Sequence, residues 1–161
     1  MAMMTPAHRE LLGEDGIKVV EALQASLPTL IDVALVAKQL HWNLRGSRFK
    51  SLHEQLDELI DDVRLDSDAV AERITTLGEA ADGRSSTVAQ DSGLAALQPG
   101  FLGIDETVET MCDALVVAIK GLRDGQKKTA DIDPVTEDLL IGMAASLEKH
   151  LWMFRSQIEE A

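Results

Sequence analysis

Residues 52–78 read LHEQLDELIDDVRLDSDAVAERITTLG, and the rhythm of this stretch decides the fold. Leu52, Leu56, Leu59, Val63, Val70, Ile74 and Leu77 recur at steps compatible with one helical face and stop at Gly78, so a single apolar stripe runs along a long helix. The charged residues occupy another face. Taking His53 as zero and 100° per residue, Asp57 lies at about 40°, Asp68 at about 60° and Glu72 at about 100°, whereas the apolar series centres near −90°. That stripe does not face the core of its own subunit; alone, it is a solvated acidic face.

Upstream, Val20, Leu23, Leu27, Leu30, Ala34, Ala37 and His41 keep the helical step and predict a helix over about residues 17–45, ended by Gly46. Pro28 should kink it or split it in two. Downstream, the rhythm fails between Gly78 and Gly103, where Gly83, Ser85, Ser86, Gly93, Pro99 and Gly100 gather. This is a crossover in which Leu94, Ala95, Ala96 and Leu97 can form one short helical turn. Ile104, Val108, Met111, Leu115, Ile119 and Leu122 mark a third helix. Asp133 and Pro134, as N-cap and first helical residue, open a fourth that carries Leu140, Met143, Leu147, Leu151, Phe154 and Ile158. Two helices, one long connection and two more helices predict an all-α, ferritin-like four-helix bundle over residues 17–161, with a short helix in the crossover between helices 2 and 3. Residues 1–16 are expected to be a short flexible N-terminal tail.

Composition narrows the functional classes. Aromatic residues make up 3% of the 161 and Tyr is absent, which disfavours β-rich folds. The single cysteine, Cys112, can form no bridge within a subunit and falls on a helical pattern as a buried thiol. The first twenty residues hold no apolar run of signal-peptide length, and no stretch of eighteen uncharged apolar residues occurs, so a soluble cytoplasmic protein without membrane association is expected. A net charge of −13 opposes binding to phosphate backbones and anionic membranes and favours cations as partners.

The acidic stripe holds metal-ligand residue types too far apart for one ion. At 1.5 Å rise per residue Asp57 and Asp68 are about 16 Å apart, and His53 and Glu72 about 28 Å. Both pairs nevertheless share one midpoint, between Asp62 and Val63. Two copies packed antiparallel about a twofold at that midpoint would bring His53 to Glu72 of the partner subunit and Asp57 to Asp68 of the partner subunit, making two equivalent sites. The helical hairpin around Gly46 returns His41 to the neighbourhood of His53. Two imidazoles and three carboxylates suit Fe(II), Mn(II) or Zn(II) and are too nitrogen-rich for Ca or Mg. An intrabundle di-iron site is disfavoured, because no histidine has Glu three residues before it. Asp61 and Arg64 share the same midpoint, so they too should meet across the twofold; the alternative is pairing within the helix, Arg64 with Asp61 or Asp68.

The run Lys38-Gln39-Leu40-His41-Trp42-Asn43-Leu44-Arg45-Gly46, followed by Phe49, Leu52-His53-Glu54, Asp57, Asp68-Ala69-Val70-Ala71-Glu72-Arg73-Ile74 and Leu77-Gly78, resembles the signature of the Dps family, the DNA-binding proteins from starved cells. The resemblance spans roughly residues 17–160 and includes Lys149-His150-Leu151-Trp152. It implies a homododecameric shell in which iron is oxidised, preferentially by hydrogen peroxide, and stored as ferric mineral, protecting the cell from oxidative damage. It also implies ferroxidase ligands at His41, His53 and Asp57 of one subunit and Asp68 and Glu72 of its neighbour. Trp42 resembles a family residue close to the metals, where an indole could absorb an electron hole, with packing as its other reading. Glu54 and Glu58 match positions that could nucleate mineral. Asp138 aligns with an acid of the threefold iron channel, with Asp133 and Asp131 as neighbours; Asp133 is also the expected helix cap. Met111, Met143, Met153 and Trp152 read as core.

Many members bind DNA through a basic tail, but here residues 1–16 carry only Arg9 against Glu10, Glu14 and Asp15. Direct DNA binding is therefore doubtful. A nucleoid-binding protein and a metal-dependent hydrolase using the same site remain the alternative functions.

Overall fold

The structure, a computed structural model, describes residues 6–158. A short helix α1 (Ala7–Leu12) and a 3-10 turn (Gly13–Asp15) lead into α2 (Gly16–Asn43), which is followed by α3 (Phe49–Thr76), α4 (Ser85–Asp91), α5 (Ile104–Thr129) and α6 (Pro134–Arg155). The long helices α2, α3, α5 and α6 form the expected all-α bundle: α2 packs along α3 and α5, α5 along α6, and α3 meets α6 only sparsely. The apolar stripes close on one core. Leu23, Leu27 and Leu30 of α2, Leu52, Leu56 and Leu59 of α3, Leu115 and Leu122 of α5, and Leu140, Leu147 and Phe154 of α6 are at most 2% exposed. Burying a side chain of this size contributes roughly 1.5–3 kcal/mol, which makes these stripes the main attraction between the four helices. Met111, Met143 and Cys112 are buried in the same core, and burial pushes the Cys112 thiol up from its ordinary pKa.

A window within residues 7–43 is long and apolar enough to cross a membrane by length and composition, with mean hydropathy 1.6. However, 61% of that window is buried inside the bundle. Packing against α3 and α5 accounts for its apolar character.

Four local expectations are corrected. Of the two outcomes expected at Pro28, a kink or a split, the split is excluded: Pro28 lies buried inside a continuous α2. The loss of one backbone bond, about 3 kcal/mol, is offset by the burial of Leu27 and Leu30 on either side. In the crossover the helix is α4, not residues 94–97. There, Ser92 Oγ donates to Asp32 Oδ2 (2.5 Å) and accepts from Leu94 N (3.2 Å), and Gly93 N donates to Thr29 Oγ1 (3.3 Å). These side-chain bonds satisfy the backbone that a helical turn at 94–97 would need to start. Trp152, expected in the core, is 65% exposed, and Met153 is only half-buried.

The fourth concerns the tail. Residues 7–15 are folded onto the bundle: His8 N donates to Leu77 O at 2.7 Å, and the buried His8 ring holds Glu79 through Nε2 at 3.1 Å. Gly78, at φ +90, permits this contact, since a Cβ there would sit 2.7 Å from Ala7 N. Residues 1–5 lie outside those described.

Candidate metal centre

The hairpin between α2 and α3 builds the site. The chain leaves α2 through Leu44 and Arg45, which pair in parallel with Leu102 and Gly103, and turns at Gly46, where φ is +144 and a Cβ would lie 2.5 Å from Ile104 Cγ1. That tight return stacks His41, near the end of α2, on His53, one turn into α3, with ring centroids 3.5 Å apart and planes 21° from parallel. Phe49 covers the His53 ring at 5.0 Å.

Each histidine orients the other. His41 Nδ1 donates to the His53 carbonyl and His53 Nδ1 donates to the His41 carbonyl, both at 3.0 Å. A carbonyl only accepts, so each neutral ring carries its proton on Nδ1 and keeps Nε2 as a lone-pair donor. This is the arrangement in which a backbone carbonyl fixes the tautomer and raises the basicity of a ligating imidazole. Asp57, one turn after His53, completes a group whose potential ligand atoms lie within 4.8 Å of one another. Lys38 Nζ donates to Asp57 Oδ1 at 2.6 Å, and His41 Nδ1 lies 3.4 Å from the same oxygen. The hydrogen bond from Lys38, aided by both histidines and opposed by burial, holds the Asp57 carboxyl below the usual carboxylate range. It therefore stays anionic at neutral pH. One nitrogen from each ring and a carboxylate give a borderline donor set that fits Fe(II).

Asp68 and Glu72 are not part of this cluster. They lie exposed on the outer face of α3, and the rise of the helix puts them about 16 and 22 Å beyond Asp57. One chain thus holds three of the five residues at one end of the stripe and two at the other. Trp42 follows His41 but turns outward and is 64% exposed, so no packing in its own subunit's core accounts for it. Glu54 and Glu58 are exposed, and Glu54 faces Lys50 at 3.7 Å.

At the other end of the bundle the three acids expected near a channel separate. Asp131 and Asp138 are exposed, but Asp133 is 2% exposed. Its carboxylate caps α6 by accepting from Val135 N (3.2 Å), binds Arg73 Nη2 (2.7 Å) and accepts from the Thr136 hydroxyl. Its oxygens are taken and shielded, so Asp133 is a structural cap and not a channel ligand.

Two features were missed from the sequence. Lys38 lay in the quoted signature without a role, although the hairpin that sets residue 41 beside residue 53 also sets 38 beside 57. His150 is 5% exposed and reaches across the bundle to donate from Nε2 to Asp62 Oδ2 at 2.7 Å. Beside it, burial, reinforced by Asp62 and opposed by His150, pushes the Asp66 carboxyl up to about 6. Asp62 and Asp66 at i and i+4 were the available signal.

Similarity to known proteins agrees with this geometry. The ferritin-like domain family matches residues 20–161. The DNA protection during starvation protein of Mycolicibacterium smegmatis is 35% identical over 147 residues, covering 89% of this chain and 78% of that one. Among solved structures, the tetragonal form of Mycobacterium smegmatis Dps superposes with a TM-score of 0.90 at 30% identity, over 100% of this chain and 96% of that one. Dps from Microbacterium arborescens in its high iron form gives 0.86 at 26% identity, over 91% and 96%. With the sequence signature, the bundle and the paired histidines all in agreement, the chain belongs to the Dps family of ferritin-like proteins.

Proposed function

We propose that this chain is a ferroxidase subunit whose active sites are shared between two copies. Iron binding, iron storage and protection come with the family; the shared site, the oxidant and the twelve-subunit cytoplasmic shell are the proposal. The observation that carries it is the divided stripe. A preorganised His41, His53 and Asp57 cluster lies at one end of an exposed face, and Asp68 and Glu72 lie at the other, where only an antiparallel partner could present them.

Iron is the substrate here. The Nε2 atoms of His41 and His53 and the carboxylate of Asp57 would hold Fe(II) from one side, and Asp68 and Glu72 of the partner subunit from the other. Two Fe(II) ions each give one electron to hydrogen peroxide, the O–O bond breaks, and with two waters the products are two FeO(OH) and four protons. Taking both electrons together avoids release of hydroxyl radical. Trp42, exposed beside His41, would supply an electron when only one iron is present. Glu54 and Glu58 would receive ferric product. Protection then acts through iron, not through DNA contact: Arg9, the one basic residue ahead of the bundle apart from His8, is held by Glu14 at 3.0 Å.

Anaerobic addition of Fe(II) and then peroxide to the assembled protein tests the reading. The expected result is two Fe(II) consumed per peroxide and sedimentation as a dodecamer. Slow consumption at the rate of free iron would reject it. Asp138 is proposed to line the threefold route for iron, where an acidic channel concentrates cations. Asp138→Asn should slow iron uptake several-fold at low salt, by roughly 2- to 10-fold, without changing the peroxide stoichiometry; an unchanged uptake rate would remove it from the route.

A further inference from the structure

The outer face of α3 carries one more pair of residues that the single chain leaves unused. Asp61 and Arg64 stand on either side of the midpoint between Asp62 and Val63, both exposed, with Leu65 beside them 69% exposed. Arg64 had two candidate partners at helical spacing within its own helix, Asp61 and Asp68. Among the described residues it pairs with neither within 4.0 Å, and Asp61 enters no ion pair. Arg9, Arg48, Arg73, Arg84 and Arg123 each hold a carboxylate, whereas Arg45, which lies over the Phe101 ring, and Arg155 share with Arg64 the lack of an ion pair among the described residues. In a chain with 28 acidic residues against 15 Lys and Arg, an arginine left without a carboxylate on an acidic stripe is a group awaiting one.

Its position says which. Along the helix Asp61 and Arg64 are each about 2 Å from the midpoint, and around it their mean direction, about 50°, is that of His53, Asp57, Asp68 and Glu72 together. An antiparallel copy centred there sets Asp61 against Arg64 of the partner subunit, and symmetry repeats the pair. We propose that these two intersubunit ion pairs fix the register of the twofold. They thereby decide whether Asp68 and Glu72 of the partner subunit arrive opposite Asp57 and His53. A slide of one helical turn in one direction would instead set Asp61 against Asp68 of the partner subunit, and like charges oppose it. The inference rests on the shared-site reading above.

Charge reversal tests it with the full chain. In Asp61→Arg the facing positions are both arginine; in Arg64→Asp they are both aspartate. Each variant alone is expected to keep its helicity but to dissociate about tenfold or more readily than the unaltered protein in a dilution series followed by sedimentation. Co-refolded in equal amounts, the two variants pair arginines on one subunit with aspartates on the other. Assembly and peroxide-driven oxidation should then return to within about threefold of the unaltered protein. Variants that assemble normally alone, or a mixture no tighter than its components, would overturn the ion pairs. A mixture that regains assembly, while neither it nor the unaltered protein oxidises iron, would uphold the pairs and remove the ferroxidase reading instead.

Discussion

His53→Ala is expected to slow peroxide-driven Fe(II) oxidation by on the order of 10²-fold or more, because losing even a residue that orients a ligand costs 10- to 100-fold in metal affinity. The His53 ring both offers a nitrogen and anchors His41, its Nδ1 donating to the His41 carbonyl at 3.0 Å while the two rings stack at 3.5 Å. The ring is only partly buried and stands off the core stripe, so far-ultraviolet circular dichroism should not change. Asp68→Ala, on the exposed far end of the stripe, should produce a comparable loss, although Asp68 contacts no other proposed ligand within its own subunit. The sharper test combines the two. In co-refolded His53→Ala and Asp68→Ala chains, a site is intact when its histidine half comes from the second variant and its acidic half from the first. A statistical mixture should therefore recover about a quarter of the full complement of sites. No recovery on mixing, or a double variant as fast as the unaltered protein, sinks the shared centre.

Asp133→Ala should destabilise the fold by about 3–5 kcal/mol, since it strands a partly buried guanidinium and removes a helix cap at once. Asp133 is 2% exposed and Arg73 has its side chain 18% exposed; their contact at 2.7 Å ties the end of α3 to the start of α6. Burial works to raise the Asp133 carboxyl, but the bonds from Thr136 and Arg73 outweigh it and hold the pKa below its ordinary value. The sign of the pH dependence follows. The folded state favours the ionised form, so the contribution is complete above the unfolded carboxyl pKa of about 3.9 and fades as pH falls through that value towards the lower folded one. Urea unfolding at fixed protein concentration should show the full deficit at pH 7 and a shrinking one below about pH 4. A deficit under about 1 kcal/mol at pH 7 would mean that the pair is only a surface contact.

Much of the metal centre was legible because it depends on local repeats. His41 and His53 flank one turn, Asp57 follows His53 at i+4, and a hairpin closed at Gly46 must bring them together. Lys38 could have been placed by the same reasoning. The outward direction of the acidic stripe also followed from the helical period, and the gap between Asp57 and Asp68 is what the shared-site proposal fills with a partner subunit. Less was legible wherever two distant segments compete for one group. The crossover helix fell at Ser85–Asp91 because Asp32 and Thr29, some sixty residues earlier, bond the backbone and side chains around Ser92. Residues 7–15 read as part of a flexible tail because nothing in them announces that Gly78 leaves room for Ala7.

The sequence by itself determined the four long helices, their order, the faces they bury and the grouping of His41, His53 and Asp57. Each of these depends on spacings of three, four or a few residues, and the helical period converts such spacings into directions without knowledge of the rest of the chain. Only the tertiary structure decided that Pro28 is absorbed in an unbroken helix, that Trp152 faces outward, that Asp133 is a buried cap bound to Arg73, and that His150 reaches Asp62. Those outcomes turn on which group lies across the bundle, and burial and pairing between residues sixty or more apart are set by packing rather than by period.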